Sequence, residues 1–310
     1  MAGVSVVIPT WNGLDLLKQF LPSVLEVCQS SLRTHPRRIQ VLIVDDASAD
    51  DTPEWLVSKG FRIIQGSAAP PEAAQTPPLP LADLAFIRND RNVGFGISCN
   101  RGFRQAAHNL VLLLNNDVKI SVDAIGLLAR HFDDGQTFAV HCCVSDMDSG
   151  RMVGTGKLAG FSRGFIRVHG SYIDSREPCA RVDQPLYSAF ASGGAAMYDR
   201  SKFELLGGFD DLLSPYYWED VELSYRAWKR GYAVLYEPDA AATHRISSTI
   251  GKLDRRRVKI IQQRNRLIFH WVNLHDRSLL ACHLIWLALL AITAPRISSP
   301  PNPGPASGRC

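Results

Sequence analysis

A chain of 310 residues, 46% hydrophobic and 21% charged, has the composition of an ordinary globular protein able to bury a sizeable core. Its length allows one large α/β domain or two small ones. A net charge of +4 is too mild to make nucleic acid an expected partner, and the basic residues crowd toward the C-terminal third. Seven cysteines without a CxxC pair exclude a disulfide framework and predict reduced thiols in a cytosolic compartment.

Val4 to Ile8 is continuous and β-branched, as expected of a parallel strand covered on both faces. It starts almost at the first residue, in place of a signal peptide's charged start and apolar centre, so export is not expected. Pro9 to Gly13 is a turn, and Leu14 to Cys28 carries apolar residues at helical spacing. Val41 to Val44 is the next strand, and Asp50-Asp51-Thr52-Pro53 starts a helix with proline in its first turn. Phe61 to Ile64 is a third strand. Positions 66–80, rich in Ala and Pro, are a surface insertion. Leu84 to Ile87 resumes the strand pattern, Asn92 to Ala107 is a helix opened by glycine, and Leu110 to Leu114 is a strand. Strands alternating with helices predict a mostly parallel sheet with right-handed crossovers.

Beyond residue 135, Phe138 to Val144, Phe165 to Val168 and Ala195 to Tyr198 are strands of a mixed extension. Val221 to Lys229 is a helix and Ala233 to Tyr236 a late strand. Lys252 to Val272 is a basic amphipathic helix, and Leu279 to Thr293 is apolar but shorter than the roughly 20 residues a membrane-spanning helix needs. The Pro-, Ser- and Gly-rich positions 295–310 are expected to be disordered.

Three acidic stretches punctuate this pattern: Asp45-Asp46, Asn115-Asn116-Asp117 and Glu219-Asp220. The first two follow apolar strands, and carboxyl ends of parallel strands are where open α/β sheets bind ligands. Any one of them alone reads as a strand end or helix cap. Together they predict one site able to hold a divalent cation and a phosphorylated substrate.

The segments Val4 to Gly13, Val44 to Ser48, Asn92 to Gly96, Leu114 to Asp117 and Gly207-Gly208-Phe209-Asp210 leading to Trp218-Glu219-Asp220 resemble, in order and spacing, the inverting family 2 glycosyltransferases. Within that family the chain looks closest to rhamnosyltransferase-like and cell-surface polysaccharide enzymes. The resemblance covers about residues 3 to 270. It implies the α/β GT-A fold, a Rossmann-like, mostly parallel central sheet with flanking helices and a mixed C-terminal extension. The expected catalytic domain is 1–250, divided into a nucleotide-sugar half of about 1–120 and an acceptor half of about 121–250. Residues 251–294 then form basic and apolar helices suited to an anionic membrane surface.

The same resemblance implies the site. Pro9, Thr10, Trp11 and Asn12 lie by the nucleoside, where Trp11 either stacks or is a core residue. Asp45 and Asp46 match the acid that recognises uracil or thymine, since a carboxylate accepts the imide N–H and its neighbour can reach ribose. Asn92, Gly94 and Gly96 let backbone approach the nucleotide, followed by Asn100 and Arg101 on the helix. Asn115 and Asn116 belong to this donor side too. Asp117 is the leading ligand for Mg²⁺ or Mn²⁺, joined by His244. Asn115 stands where many relatives carry a first Asp, which predicts a weak metal site. Asp220 is the expected base and Glu219 binds acceptor or orients the base. Gly193, Gly194 and Trp218 face the acceptor, and Arg264 approaches the diphosphate.

The function so implied is transfer of a sugar, with inversion, from a UDP- or dTDP-sugar to a glycan or polyprenyl-linked acceptor in cell-surface polysaccharide synthesis. The expected location is cytoplasmic, peripheral on the inner face of the membrane. A sugar-nucleotide nucleotidyltransferase fits less well, because the first loop lacks the Arg and Lys that grip a triphosphate. A catalytically weakened scaffold draws its support from Asn115, and intact Asp117 and Asp220 count against it.

Overall fold

The computed structural model describes residues 3–34, 38–64, 83–171, 186–246 and 253–293. The predicted alternation is realised as β1 (Val4–Thr10), α1 (Leu14–Thr34), β2 (Ile39–Asp45), α2 (Thr52–Ser58), β3 (Arg62–Ile63), β4 (Asp83–Arg88), α3 (Phe95–Gln105) and β5 (Leu110–Leu114). Every residue of β1, β2 and β5 is buried, which is why these strands read as unbroken apolar runs rather than alternating ones. The two-residue side-chain period still sorts them. Val4, Val6 and Ile8 pack with Leu17, Leu21 and Val24 of α1, whereas Val7 packs with Cys99 and Phe103 of α3.

The second half adds β6 (Val118–Ile120), α4 (Ala124–Ala129), β7 (Thr137–Asp146), β8 (Met152–Gly154), β9 (Lys157–Ser162), β10 (Phe165–Ser171), β11 (Leu186–Tyr187), β12 (Ala195–Asp199), α5 (Arg200–Leu205), α6 (Glu219–Lys229), β13 (Ala233–His244), α7 (Arg255–Asn273) and α8 (Arg277–Thr293). The main sheet runs β11-β13-β7-β12-β5-β1-β2-β4-β3, with β6 on β13 and β8 on β7. Pairing is parallel from β5 to β3 and turns antiparallel at β12, giving the expected mixed extension. β2 and β5 flank β1 on opposite sides, so the strand order reverses there, and the crevice at the carboxyl ends is the ligand position of such sheets.

Several expectations change. The third strand shrinks to Arg62–Ile63, and Phe165 to Val168 lies in a two-stranded ribbon with β9 instead of the main sheet. The late strand runs past Tyr236 to His244 through an irregularity between Glu237 and Ala241. Elements such as β6, β8 and α4 were too short to leave a periodic signal. Positions 66–80, Lys252 and positions 295–310 lie outside the described residues. Among the described residues, no helix is long and apolar enough to cross a membrane.

Candidate active site

The sequence-remote acids meet at the carboxyl edge of the sheet. Asp45 ends β2 directly beside Thr10, the last residue of β1. Asn116 Nδ2 donates to Thr10 Oγ1 at 2.9 Å, binding the loop after β5 to the end of β1. One residue earlier, the Asn115 N–H donates to Gly194 O at 2.9 Å. Next to it the Gly193 N–H donates to Asp220 Oδ2 at 3.2 Å. A run of contacts thus leads from Asp45 through Thr10, Asn116 and Asn115 to Asp220, with Asp117 next in the chain after Asn116. Gly13 permits the first of these junctions: a Cβ there would stand 2.4 Å from Asn116 Nδ2 and 2.5 Å from Thr10 Oγ1.

The loops after β1 and β2 are knitted together. Asn12, at φ 46°, donates its N–H to Ser48 Oγ (2.8 Å) and accepts from the Ala49 N–H on Oδ1 (2.7 Å). Pro9 is buried in the strand. Trp11 is 38% exposed, which removes the core alternative and leaves its ring at the surface of this edge. The Asp45 carboxyl is buried; Oδ1 accepts from the Ser48 N–H at 3.2 Å, and Arg88 Nε approaches Oδ2 at 3.4 Å. Burial raises its pKa, opposed by the Ser48 bonds and then by the Arg88 charge.

Asp46 faces the other way. Its carboxylate accepts from Asn89 Nδ2 (2.7 Å) and from the N–H groups of Val93 and Gly94 (both 2.9 Å), so it clasps the loop that opens α3. Asn92 in this loop is exposed. The glycines here admit protein rather than an open path to a ligand: a Cβ on Gly94 (φ 91°) would meet Pro215 Cα at 2.9 Å, and one on Gly96 would lie 3.3 Å from Phe209. Asn100 pairs with the Phe209 backbone in both directions, at 2.8 Å each. Arg101 donates to Asn89 Oδ1 at 2.7 Å. Of the residues expected to touch nucleotide, Asp46, Gly94, Gly96 and Asn100 therefore hold the loops in place.

Asp117 and His244 stand side by side, Oδ1 to Nε2 at 2.9 Å, because β13 pairs antiparallel with β6 and places His244 opposite Val118. A carboxylate oxygen and an imidazole nitrogen at this spacing suit neighbouring positions on one divalent ion, where ligands at roughly 2.1 Å stand about 3 Å apart. Among the described residues no group of three or more His, Cys, Asp and Glu forms a metal cage. A cation here would take its other ligands from diphosphate oxygens and water, the usual arrangement for Mg²⁺ on phosphates.

Glu219 and Asp220 open α6, where carboxylates favour the positive helix end. Asp220 also accepts from the Val221 N–H at 2.8 Å. Burial raises its pKa, against the pull of the Gly193 and Val221 N–H groups. Glu219 is 9% exposed with Oε2 lacking a hydrogen-bond partner, and burial, helped by the Asp220 charge, pushes it up to about 8. Burial thus pushes both carboxyls toward their neutral forms, and the two titrate as a coupled pair. A Cβ on Gly193 would stand 3.4 Å from Phe95 Cε1 and 3.7 Å from Asp220 Cβ, and Trp218 packs on Phe269 with ring centroids 5.2 Å apart.

The sequence reading missed Asn89 and Arg88, which organise Asp46 and Asp45, and the role of Asn265, whose side chain bonds the loop before α6. Arg264 points to the same loop, donating to Ser214 O. Asn89 left a usable signal, a polar residue just past β4; Asn265 showed only as the second half of the Arg264-Asn265 pair that resembles one in relatives.

A family model described as Glycosyltransferase like family 2 matches residues 2–262. The chain is 22% identical over 265 residues to the poly-beta-1,6-N-acetyl-D-glucosamine synthase of Staphylococcus aureus strain MSSA476, covering 84% of this chain and 54% of that protein. It thus spans about half the length of the curated relatives it matches. Two solved structures share the fold. GalNAc-T7 with UDP, GalNAc and Mn²⁺ gives a TM-score of 0.57 at 16% identity, over 79% of this chain and 44% of that one. Residues 1–349 of S. aureus TarS with UDP-GlcNAc give 0.54 at 15% identity, over 95% and 76%.

Proposed function

The chain belongs to glycosyltransferase-like family 2, and from that premise we propose that it transfers a sugar, with inversion, from a UDP- or dTDP-sugar to a glycan or polyprenyl-linked acceptor of a cell-surface polysaccharide. The observation that carries this is the run of contacts joining Asp45 to Asp220 along one edge of the sheet through the loop 115–117 that bears Asp117. Names of relatives point the same way: one is a polysaccharide synthase, and neighbours of the fold were solved with UDP or UDP-GlcNAc.

In this reading the Asp45 carboxylate accepts the imide N–H of the pyrimidine, and the exposed Trp11 ring lies against the nucleoside. Asp117 and His244 are the residues that would hold Mg²⁺ or Mn²⁺; when bound, the cation offsets charge developing on the leaving diphosphate. Asp220 takes the proton of the acceptor hydroxyl as that oxygen attacks the anomeric carbon. Glu219 stands beside it, pushed toward its neutral form by burial and by the Asp220 charge. One displacement needs no enzyme nucleophile and inverts the centre.

The C-terminal helices supply the membrane side of the proposal. Arg255, Arg256, Arg257 and Lys259 are exposed on α7, and Leu284, Ile285, Leu289 and Ile292 are exposed on α8. An exposed basic stretch on α7 and an exposed apolar face on α8 each suit an anionic lipid surface, where a polyprenyl-linked acceptor resides.

Release of UDP from UDP-GlcNAc in Mn²⁺ tests the assignment. Wild type should release UDP slowly, and Asp220→Asn should lower the rate by about 10²–10⁴-fold, the usual worth of a positioned base. Equal rates would overturn it. Thermal shifts with UDP, dTDP and GDP should favour the pyrimidines; an equal response to GDP defeats the role given to Asp45.

A further inference from the structure

Asn265 is fully buried on α7, outside the sheet that forms the rest of the site. Its Nδ2 donates to three carbonyls of one loop: Leu213 O at 2.5 Å, Tyr217 O at 2.9 Å and Tyr216 O at 3.0 Å. Its Oδ1 accepts from Arg264 Nε at 2.9 Å, and Arg264 also donates to Ser214 O. One helical turn further on, Phe269 packs against Trp218. α7 therefore grips the segment 213–218 at both its backbone and its last side chain.

That segment leads straight into Glu219 and Asp220. Tyr217 and Trp218 are consecutive non-glycine residues in the left-handed region, at φ 72° and 77°. Such a conformation persists only where its surroundings over-determine it. On its opposite side the loop is held by the donor-side loop, through Ser214 Oγ to Val93 O (3.1 Å) and the Phe95 N–H to Pro215 O (3.0 Å). The loop is thus clamped between the start of α3 and α7, and its exit fixes where α6 begins. By contrast Asp45, Thr10, Asn116, Asp117 and His244 are held by the sheet and its own loops.

We infer that Asn265 is a positioning residue for the reaction: its amide holds the strained 213–218 loop so that Asp220 meets the acceptor hydroxyl, while donor binding proceeds without it. This rests on the proposed transferase reading, and wild-type turnover is measured beside the variants so that the two ideas fail separately.

Asn265→Asp keeps the shape and removes every donor; Asn265→Ser keeps one hydroxyl donor. The measurements are UDP binding by calorimetry with Mn²⁺ and UDP release from UDP-GlcNAc. Expected for Asn265→Asp is a Kd for UDP within about twofold of wild type and a kcat at least about tenfold lower, as small misplacements of a reacting group cost. Asn265→Ser should fall between, with the same Kd. A kcat within about twofold of wild type would overturn the inference. So would loss of UDP binding in step with turnover, or failure of both variants to fold, since either makes Asn265 a support of the whole domain. Absence of turnover in wild type itself would instead defeat the transferase reading.

Discussion

Glu219→Gln examines the electrostatics of the acidic pair without removing its shape. In the folded protein the Glu219 carboxyl is buried and its pKa stands at about 8, against an ordinary value of 4.5. A raised pKa means that between these two values the folded state holds a proton the unfolded chain has released. Stability contributed by the neutral form is fully present below about 4.5 and is lost as pH rises toward 8, at about 1.4 kcal/mol per pH unit for one proton. Glutamine mimics the protonated acid and does not titrate. The unfolding free energy of the variant relative to wild type should therefore climb by about 1.4 kcal/mol per unit between about pH 5 and 8, then level off. The whole span approaches about 5 kcal/mol as a ceiling, because part of the shift is shared with Asp220. Urea denaturation of both proteins at intervals from pH 5 to 9 reads this directly. Parallel stability curves would refute the reasoning, since they would mean that Glu219 is ionised in the folded protein across that range.

Three further outcomes are expected. His244→Ala should raise the Mn²⁺ concentration needed for half-maximal UDP release by about tenfold or more, while an unchanged Mn²⁺ titration would remove His244 from the cation site. Gly94→Ala places a Cβ 2.9 Å from Pro215 Cα at a backbone φ of 91°; thermal melting should report a loss of about 2–4 kcal/mol, combining left-handed strain with overpacking, and a loss under about 0.5 kcal/mol would contradict the packing described. Anionic vesicles should sediment with the protein and release it as ionic strength rises, with Ile285→Asp weakening the association; binding indifferent to lipid charge would contradict the role given to the basic face of α7.

Much of the donor half was legible because its chemistry is local. Buried parallel strands leave unbroken apolar runs, so Val4 to Ile8, Val41 to Val44 and Leu110 to Leu114 marked β1, β2 and β5, and the acids after them marked the edge where ligands bind. The family's ordered motifs then pointed to Asp117, His244 and Asp220. What the residues touch was not legible. Gly94 and Gly96 read as openings toward a nucleotide, yet their missing side chains admit Pro215 and Phe209. Asn100 read as a ligand and proved to bond the Phe209 backbone.

The amino-acid order by itself determined which segments become strands, which carboxylates end them and to which family the chain belongs, since these depend on side-chain periodicity and neighbouring residues. Only the tertiary structure decided that His244 reaches Asp117, that burial drives the Glu219 pKa up, and that Asn265 grips the loop before Asp220. Each of those facts arises from groups far apart in the chain being desolvated against one another, and burial of that kind has no signature at any fixed spacing along a sequence.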